Sequence, residues 1–231
     1  HRWVGADQVK MLTLTRKPAN AAGLSERDQR LLWRIAALLL DYPGAPTLAM
    51  TDQLIAAAGE LPDSVREPLL HILHEFRTAD PLQLAVRYVE TFDMRRRASL
   101  HLTYYAYGDT RKRGMALLRF KHAYRQAGMQ LGDNELPDFL PLVLEFAATI
   151  DPLQGERLLG EHVPVLELLR LSLADSGSAY ASVLTAILAT LPPISTADRR
   201  RIADLAAQGP PEEEVGMEPF AMDPLMSGGR R

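Results

Sequence analysis

Apolar residues recur along this chain three and four apart, and almost nowhere in strict alternation, so the predicted elements are helices. A first helix is expected over 25–40, with Ser25 as its cap and Asp28 three residues on, and Asp41-Tyr42-Pro43-Gly44 ends it. A second covers 47–58. A third follows Asp63 or Ser64 and places Val65, Leu69, Ile72, Leu73 and Phe76 on one face. Asp80 caps a fourth helix, with Pro81 at its first position, where a missing N–H costs nothing. Its expected stripe is Leu82, Ala85, Val86, Val89 and Phe92.

The periodicity then breaks over 93–109, which reads as a long ordered connection, and such connections often carry function. A helix resumes at Thr110, with Asp109 as candidate cap, and stops at Gly128. Another begins within Glu135-Leu136-Pro137-Asp138-Phe139-Leu140-Pro141 and ends near Ile150. Asp151 and Pro152 open the next segment, which Pro164 should kink or split and Gly177 should end. Tyr180, Val183, Leu184, Ile187, Leu188 and Leu191 keep helical spacing almost without error. A short charged helix is expected over 194–208.

The fold class that follows is all-α, a single bundle-like domain of roughly eight helices. Residues 1–24 form an N-terminal extension, 25–193 the helical domain, 194–208 the charged helix, and 209–231 a disordered C-terminal tail with few regularly spaced apolar residues.

Composition narrows the chemistry. Of 231 residues, none is cysteine, which removes disulfides, thiol nucleophiles and Cys-ligated metals, and fits a reducing, cytoplasmic compartment. The longest apolar run, 31–40, contains Arg34 and is half the length of a membrane span. The net charge is −3, but unevenly distributed. Residues 87–125 hold ten Lys/Arg against three Asp/Glu; residues 126–168 hold one against eight. Either these neighbouring segments attract one another, or each meets an oppositely charged partner.

Catalytic signatures are missing: there is no Gly-rich phosphate loop, dinucleotide fingerprint, nucleophile elbow or zinc-protease helix. His71 and His74 lie one turn apart but lack an obvious further ligand, and His101 and His122 stand alone. Glu135 with Asp138, or Glu145 with Asp151, could in principle pair for acid–base work, although Asp138 and Asp151 serve more simply as helix-start residues. The chain therefore reads as a non-enzyme without a resident metal or stably bound cofactor.

Two binding readings remain open. Arg95, Arg96 and Arg97, with Arg111, Lys112 and Arg113, flank an aromatic stretch holding Tyr104, Tyr105 and Tyr107, as a nucleic-acid or phosphate surface would. Arg95 to Ser99 also has the form of a basophilic kinase site. Alternatively, the aromatic connection and the acidic, proline-stiffened helix start line a groove for a basic amphipathic peptide helix.

The ordered blocks YVETFD, SLHLTYY, GDTRKRG, ELPDFLP and LEFAA, all within residues 88–148, resemble the respiratory nitrate reductase delta subunit family, the NarJ-type assembly chaperones. LLWRIAALLLDYP and HVPVLELL extend the resemblance to roughly 31–191. It implies an all-helical cytoplasmic chaperone related to the TorD and DmsD redox-enzyme maturation proteins. Its partner would be the N-terminal peptide of the apo catalytic (alpha) subunit of nitrate reductase, held ready for molybdenum cofactor insertion before membrane docking, with molybdenum cofactor biosynthesis proteins as further partners. It implies no nucleic acid, no membrane span and no place in the finished enzyme. Carried over onto this sequence, the client-peptide site comprises Tyr88, Phe92, Tyr104, Tyr105, Asp109, Arg111, Arg113, Glu135, Leu136, Pro137, Asp138, Leu140 and Pro141. The TorD-type pattern has a histidine shortly after the acidic proline motif; Phe139 and Leu140 stand there, so that histidine's role does not transfer.

Overall fold

A computed structural model describes residues 22–108, 111–132 and 135–209. The helices are α1 (Glu26–Leu40), α2 (Ala45–Ala49), α3 (Thr51–Gly59), α4 (Asp63–Thr78), α5 (Pro81–Tyr88), α6 (Tyr104–Tyr107), α7 (Arg111–Gln126), α8 (Leu140–Thr149), α9 (Pro152–Glu161), α10 (Val163–Asp175), α11 (Tyr180–Ala189) and α12 (Thr196–Gln208). Twelve α-helical segments among the described residues stand where roughly eight and the charged helix were expected: the segments predicted over 47–58 and from 151 to 177 are each two helices, and α6 adds a single turn. Residues 1–21 and 210–231, and the proposed cap Asp109, lie outside the described residues.

Local side-chain caps explain four helix starts. Ser25 accepts from the Asp28 amide, Asp80 from the amides of Leu82 and Gln83, and Asp151 from that of Gln154. Ser195 and Asp198 form a reciprocal capping box at the start of α12. Gly128 and Gly177 take positive φ of 77° and 68° just past α7 and α10, the left-handed exits predicted there. Pro164 sits in the first turn of α10, and the chain breaks from α9 at His162, as expected of a proline.

Two expectations need correction. The helix predicted over 47–58 breaks at Met50, and the Thr51 hydroxyl bonds back to the Leu48 carbonyl, so α2 and α3 are separate. The predicted stripe of the fourth helix is also largely wrong: Phe92 is buried as expected, but Leu82, Val86 and Val89 are exposed and Ala85 is half-buried, while Leu84 and Tyr88 are buried in their place. Aromatic packing decides this. Tyr88 meets Phe92 at 4.9 Å and Tyr180 at 6.1 Å, and the chain continues from α5 through a π-helical turn, Val89–Asp93, that brings Phe92 into the cluster.

α1 runs through the centre of the core, packed on α8 and α11, with Leu32, Trp33, Leu39 and Leu40 wholly buried. Its polar groups are bonded across those contacts. Trp33 Nε1 donates to Thr190 Oγ1 at 2.8 Å, Gln29 to the Thr190 carbonyl at 2.9 Å, and Arg30 to the Ala148 carbonyl at 2.9 Å. α8 and α9 approach closely where Gly155 faces Ala147: a Cβ on Gly155 would lie 2.3 Å from the Ala147 Cβ. α12 packs on α10 through Ile202 and Leu205, against Val165, Leu168 and Tyr105. Among the described residues no helix is long and apolar enough to cross a membrane.

Candidate functional site

The helix expected to begin within the acidic proline segment does so, but only at its end, past Asp138. α8 begins at Leu140, with Phe139 as an N-cap that makes no side-chain bond and Pro141 in the first turn. Residues 135–139 instead form a turn pinned beside the segment around His101. Leu102 N–H donates to the Asp138 carbonyl at 3.0 Å, Leu140 N–H to the Leu100 carbonyl at 2.9 Å, and His101 and Phe139 pair as an isolated antiparallel bridge. The Tyr124 hydroxyl on α7 donates to the Pro137 carbonyl at 2.7 Å and fixes the turn from below.

Asp138 is therefore neither helix cap nor groove rim: its side chain is 0% exposed. Its Oδ2 accepts from the Thr103 amide at 3.0 Å and the Thr103 hydroxyl at 2.6 Å. The same hydroxyl oxygen accepts from Arg113 Nε at 3.2 Å, and Arg113 Nη2 lies 3.5 Å from Oδ2. His101 Nδ1 lies 3.4 Å from Oδ1. Burial alone would push this carboxyl up, but the His101 imidazole and the two Thr103 donors outweigh it and hold the group down at about 2. A buried anion survives because the Arg113 guanidinium and hydrogen-bond donors lie against it.

Outside that cluster lies a groove of about 740 Å³ between α1 and α8. Leu38, Leu136, Phe139 and Leu142 form its apolar lining, with Asp41 and Glu135 on the rim and His101 between groove and core. Glu145 also lines it but is paired with Arg34. Asp41 and Glu135 make no ion pair among the described residues; they accept only backbone amides, from Tyr42 at 2.8 Å and Gly132 at 3.0 Å. An apolar trough with two uncompensated carboxylates suits an apolar ligand that carries cations.

Of the site residues expected from sequence, Glu135, Leu136 and Pro141 reach this groove. Tyr88, Phe92, Tyr105, Pro137, Asp138 and Leu140 are buried and do not line it: Tyr88 donates to the Leu40 carbonyl at 3.1 Å and packs with Phe92, and Tyr105 packs elsewhere, against Val165 and Leu168. Tyr104 lies under the Arg113 guanidinium at 5.6 Å, and Arg111 is exposed on α7. The basic run Arg111, Lys112 and Arg113 is not one surface, because Arg113 turns inward to Thr103 and Asp138. That removes a central cation from the nucleic-acid reading. Among the described residues no cluster of His, Asp and Glu could hold a metal ion.

The α1 wall was missed in sequence. Arg34 and Leu38 on α1 and Asp41 at its C-cap stand four and three apart, a stripe beside the buried Leu32, Ile35 and Leu39. That spacing was the available signal.

The nitrate reductase delta subunit family model matches residues 58–186. The chain is 33% identical to the nitrate reductase molybdenum cofactor assembly chaperone NarJ of Escherichia coli K12, over 77% of this chain and 78% of that one. It is 31% identical to the Bacillus subtilis protein named for the same role, over 73% and 92%. It is 42% identical over 161 residues to the nitrate reductase-like protein NarX of Mycobacterium tuberculosis, spanning 24% of that relative's length. A solved Archaeoglobus fulgidus structure, named as a redox enzyme maturation protein, shares the fold: TM-score 0.53 at 21% identity, over 69% of this chain and 91% of that one. With the family model covering more than half of its residues, this chain belongs to the nitrate reductase delta subunit family.

Proposed function

We propose that the chain is an assembly chaperone that binds the N-terminal segment of the apo catalytic subunit of a nitrate reductase and keeps that subunit competent for molybdenum cofactor insertion. The observation that carries this reading is the α1–α8 groove, apolar along Leu38, Phe139 and Leu142 and edged by the uncompensated carboxylates of Asp41 and Glu135. The roles named for the Escherichia coli and Bacillus subtilis relatives point the same way.

The chemistry asked of the chain is recognition. A basic amphipathic helix laid in the groove exchanges its own and the groove's apolar surface for mutual contact, about 25 cal/mol per Å² removed from water. Each rim carboxylate adds at most about 1 kcal/mol at its exposed position, so affinity comes from the apolar anchors and orientation from the charges. The rigid Asp138 cluster behind Phe139 keeps the wall in shape before the client arrives, which lowers the ordering cost of binding.

Calorimetric titration with a synthetic peptide of the catalytic subunit's N-terminus tests this. Binding that Leu38→Asp abolishes and Glu135→Lys weakens is the expected result. No binding to the native chain overturns the reading.

A further inference from the structure

α7 is anchored on one side only. Phe120, Ala123 and Tyr124 face the core, and the Tyr124 ring packs on Phe146 at 4.7 Å. The opposite face carries Arg111, Met115, Leu118, His122 and Arg125, successive steps of four, three, four and three that keep them on one side of the helix. Met115 is 71% exposed and Leu118 53%. Lys112, Arg119 and Lys121 flank them, also exposed, with Arg119 paired to Glu161. Nothing lies within 4 Å of where a Cβ would sit on the exposed Gly114, so the backbone there is open to close approach. The face α7 turns outward is thus a basic amphipathic helix, the ligand class that the α1–α8 groove suits.

We propose that α7 of one copy of this chain docks in the α1–α8 groove of another, so that the chaperone without a client caps its own groove. The inference rests on the reading of that groove as an acceptor for basic amphipathic helices. Met115 and Leu118 enter the trough formed by Leu38, Leu136, Phe139 and Leu142, and the flanking arginines and lysines meet Asp41 and Glu135. The occupant is a second copy because α7 is fixed in its own molecule by Phe120 and Tyr124, with its basic face to solvent. One helix in one groove buries less than the roughly 1,200–2,000 Å² of a stable interface, so the contact is weak and a client displaces it. The two surfaces differ, so copies either close as a reciprocal pair or extend head to tail.

Sedimentation velocity of the full chain, from about 1 to about 100 µM, brackets an interface of this size. A sedimentation coefficient that rises with concentration is expected. Met115→Asp with Leu118→Asp on α7, and separately Glu135→Arg in the groove, should each move the transition at least tenfold higher in concentration; both sites are exposed, and unchanged circular dichroism confirms the fold. Mixing Arg111→Glu chains with Glu135→Arg chains should restore association; Arg111 is chosen because Lys121 and Arg125 line a hollow with Glu135 of their own chain. A chain monomeric throughout, or association that survives both variants, overturns the proposal. If the catalytic-subunit peptide binds a strictly monomeric chain, self-capping fails and the groove's function stands. If association depends on α7 and Glu135 but the peptide does not bind, self-capping stands and the client reading fails.

Discussion

Thr103 holds Asp138 twice, through its amide at 3.0 Å and its hydroxyl at 2.6 Å, both on the same carboxylate oxygen. The bond ties the segment before α6 to the turn before α8, thirty-five residues apart in the chain. Arg113 closes the cluster from α7. The wall of the groove is built on this buried anion.

Removing it should act on the fold before it acts on the client. Asp138→Ala leaves the Arg113 guanidinium buried beside an empty position, a situation that typically costs about 3–5 kcal/mol. Urea denaturation should show a loss of that order, and client binding should fall through disorder of the wall. Thr103→Val, which keeps the amide bond and loses the hydroxyl, should cost less, about 1–3 kcal/mol. Equal losses for the two variants would mean that the hydroxyl carries the cluster.

The same carboxyl predicts an acid limb. Its folded value is about 2 against an ordinary value near 4, so the folded state binds its proton more weakly than the unfolded chain. The stabilisation is fully present above about pH 4 and is lost as pH falls toward 2, roughly 2 kcal/mol in all. Urea midpoints measured between pH 5 and pH 2 should drop more steeply in the native chain than in Asp138→Asn. Parallel curves would remove Asp138 from the acid response.

The contact of α8 with α9 should tolerate no side chain at Gly155. A Cβ there would sit 2.3 Å from that of Ala147 and 2.4 Å from its Cα, so backbone must move. Gly155→Ala should lower stability by about 1–3 kcal/mol despite the better helix propensity of alanine. Adding Ala147→Gly relieves one of the two contacts and should recover part of the loss. A thermal melt in which Gly155→Ala is stabilising would contradict the packing.

The groove separates apolar from charged contributions. Leu38→Asp should abolish client-peptide binding, whereas Glu135→Lys should weaken it about fivefold, an effect that shrinks with added salt as expected for a rim charge. Calorimetry at two ionic strengths reads both. A larger loss for Glu135→Lys than for Leu38→Asp would shift the affinity from the trough to its rim.

Elements whose cause lies within a few residues could be read directly from sequence. Ser25, Asp80 and Asp151 cap the helices they were expected to cap, the stripe of α4 is buried as its spacing requires, and that of α11 is too except for the half-buried Leu188. A cap satisfies its own helix's first amides, and a stripe needs only some core to face, so neither depends on which distant residues supply the partner.

Asp138 shows the opposite case. Beside Pro137 and ahead of an apolar run it has every mark of a helix-start carboxylate. Its role was decided by Thr103, His101 and Arg113, brought to it from other elements. Leu82 and Val86 lost their expected burial in the same way, to an aromatic cluster that includes Tyr180, over ninety positions away. Arg34, Leu38 and Asp41 became a groove wall only when α1 met α8. Helix periodicity and capping are short-range and were set by the order of residues alone. The pairing of a buried charge, and the opening of a groove between two helices, depend on long-range packing, which exists only once the chain has folded.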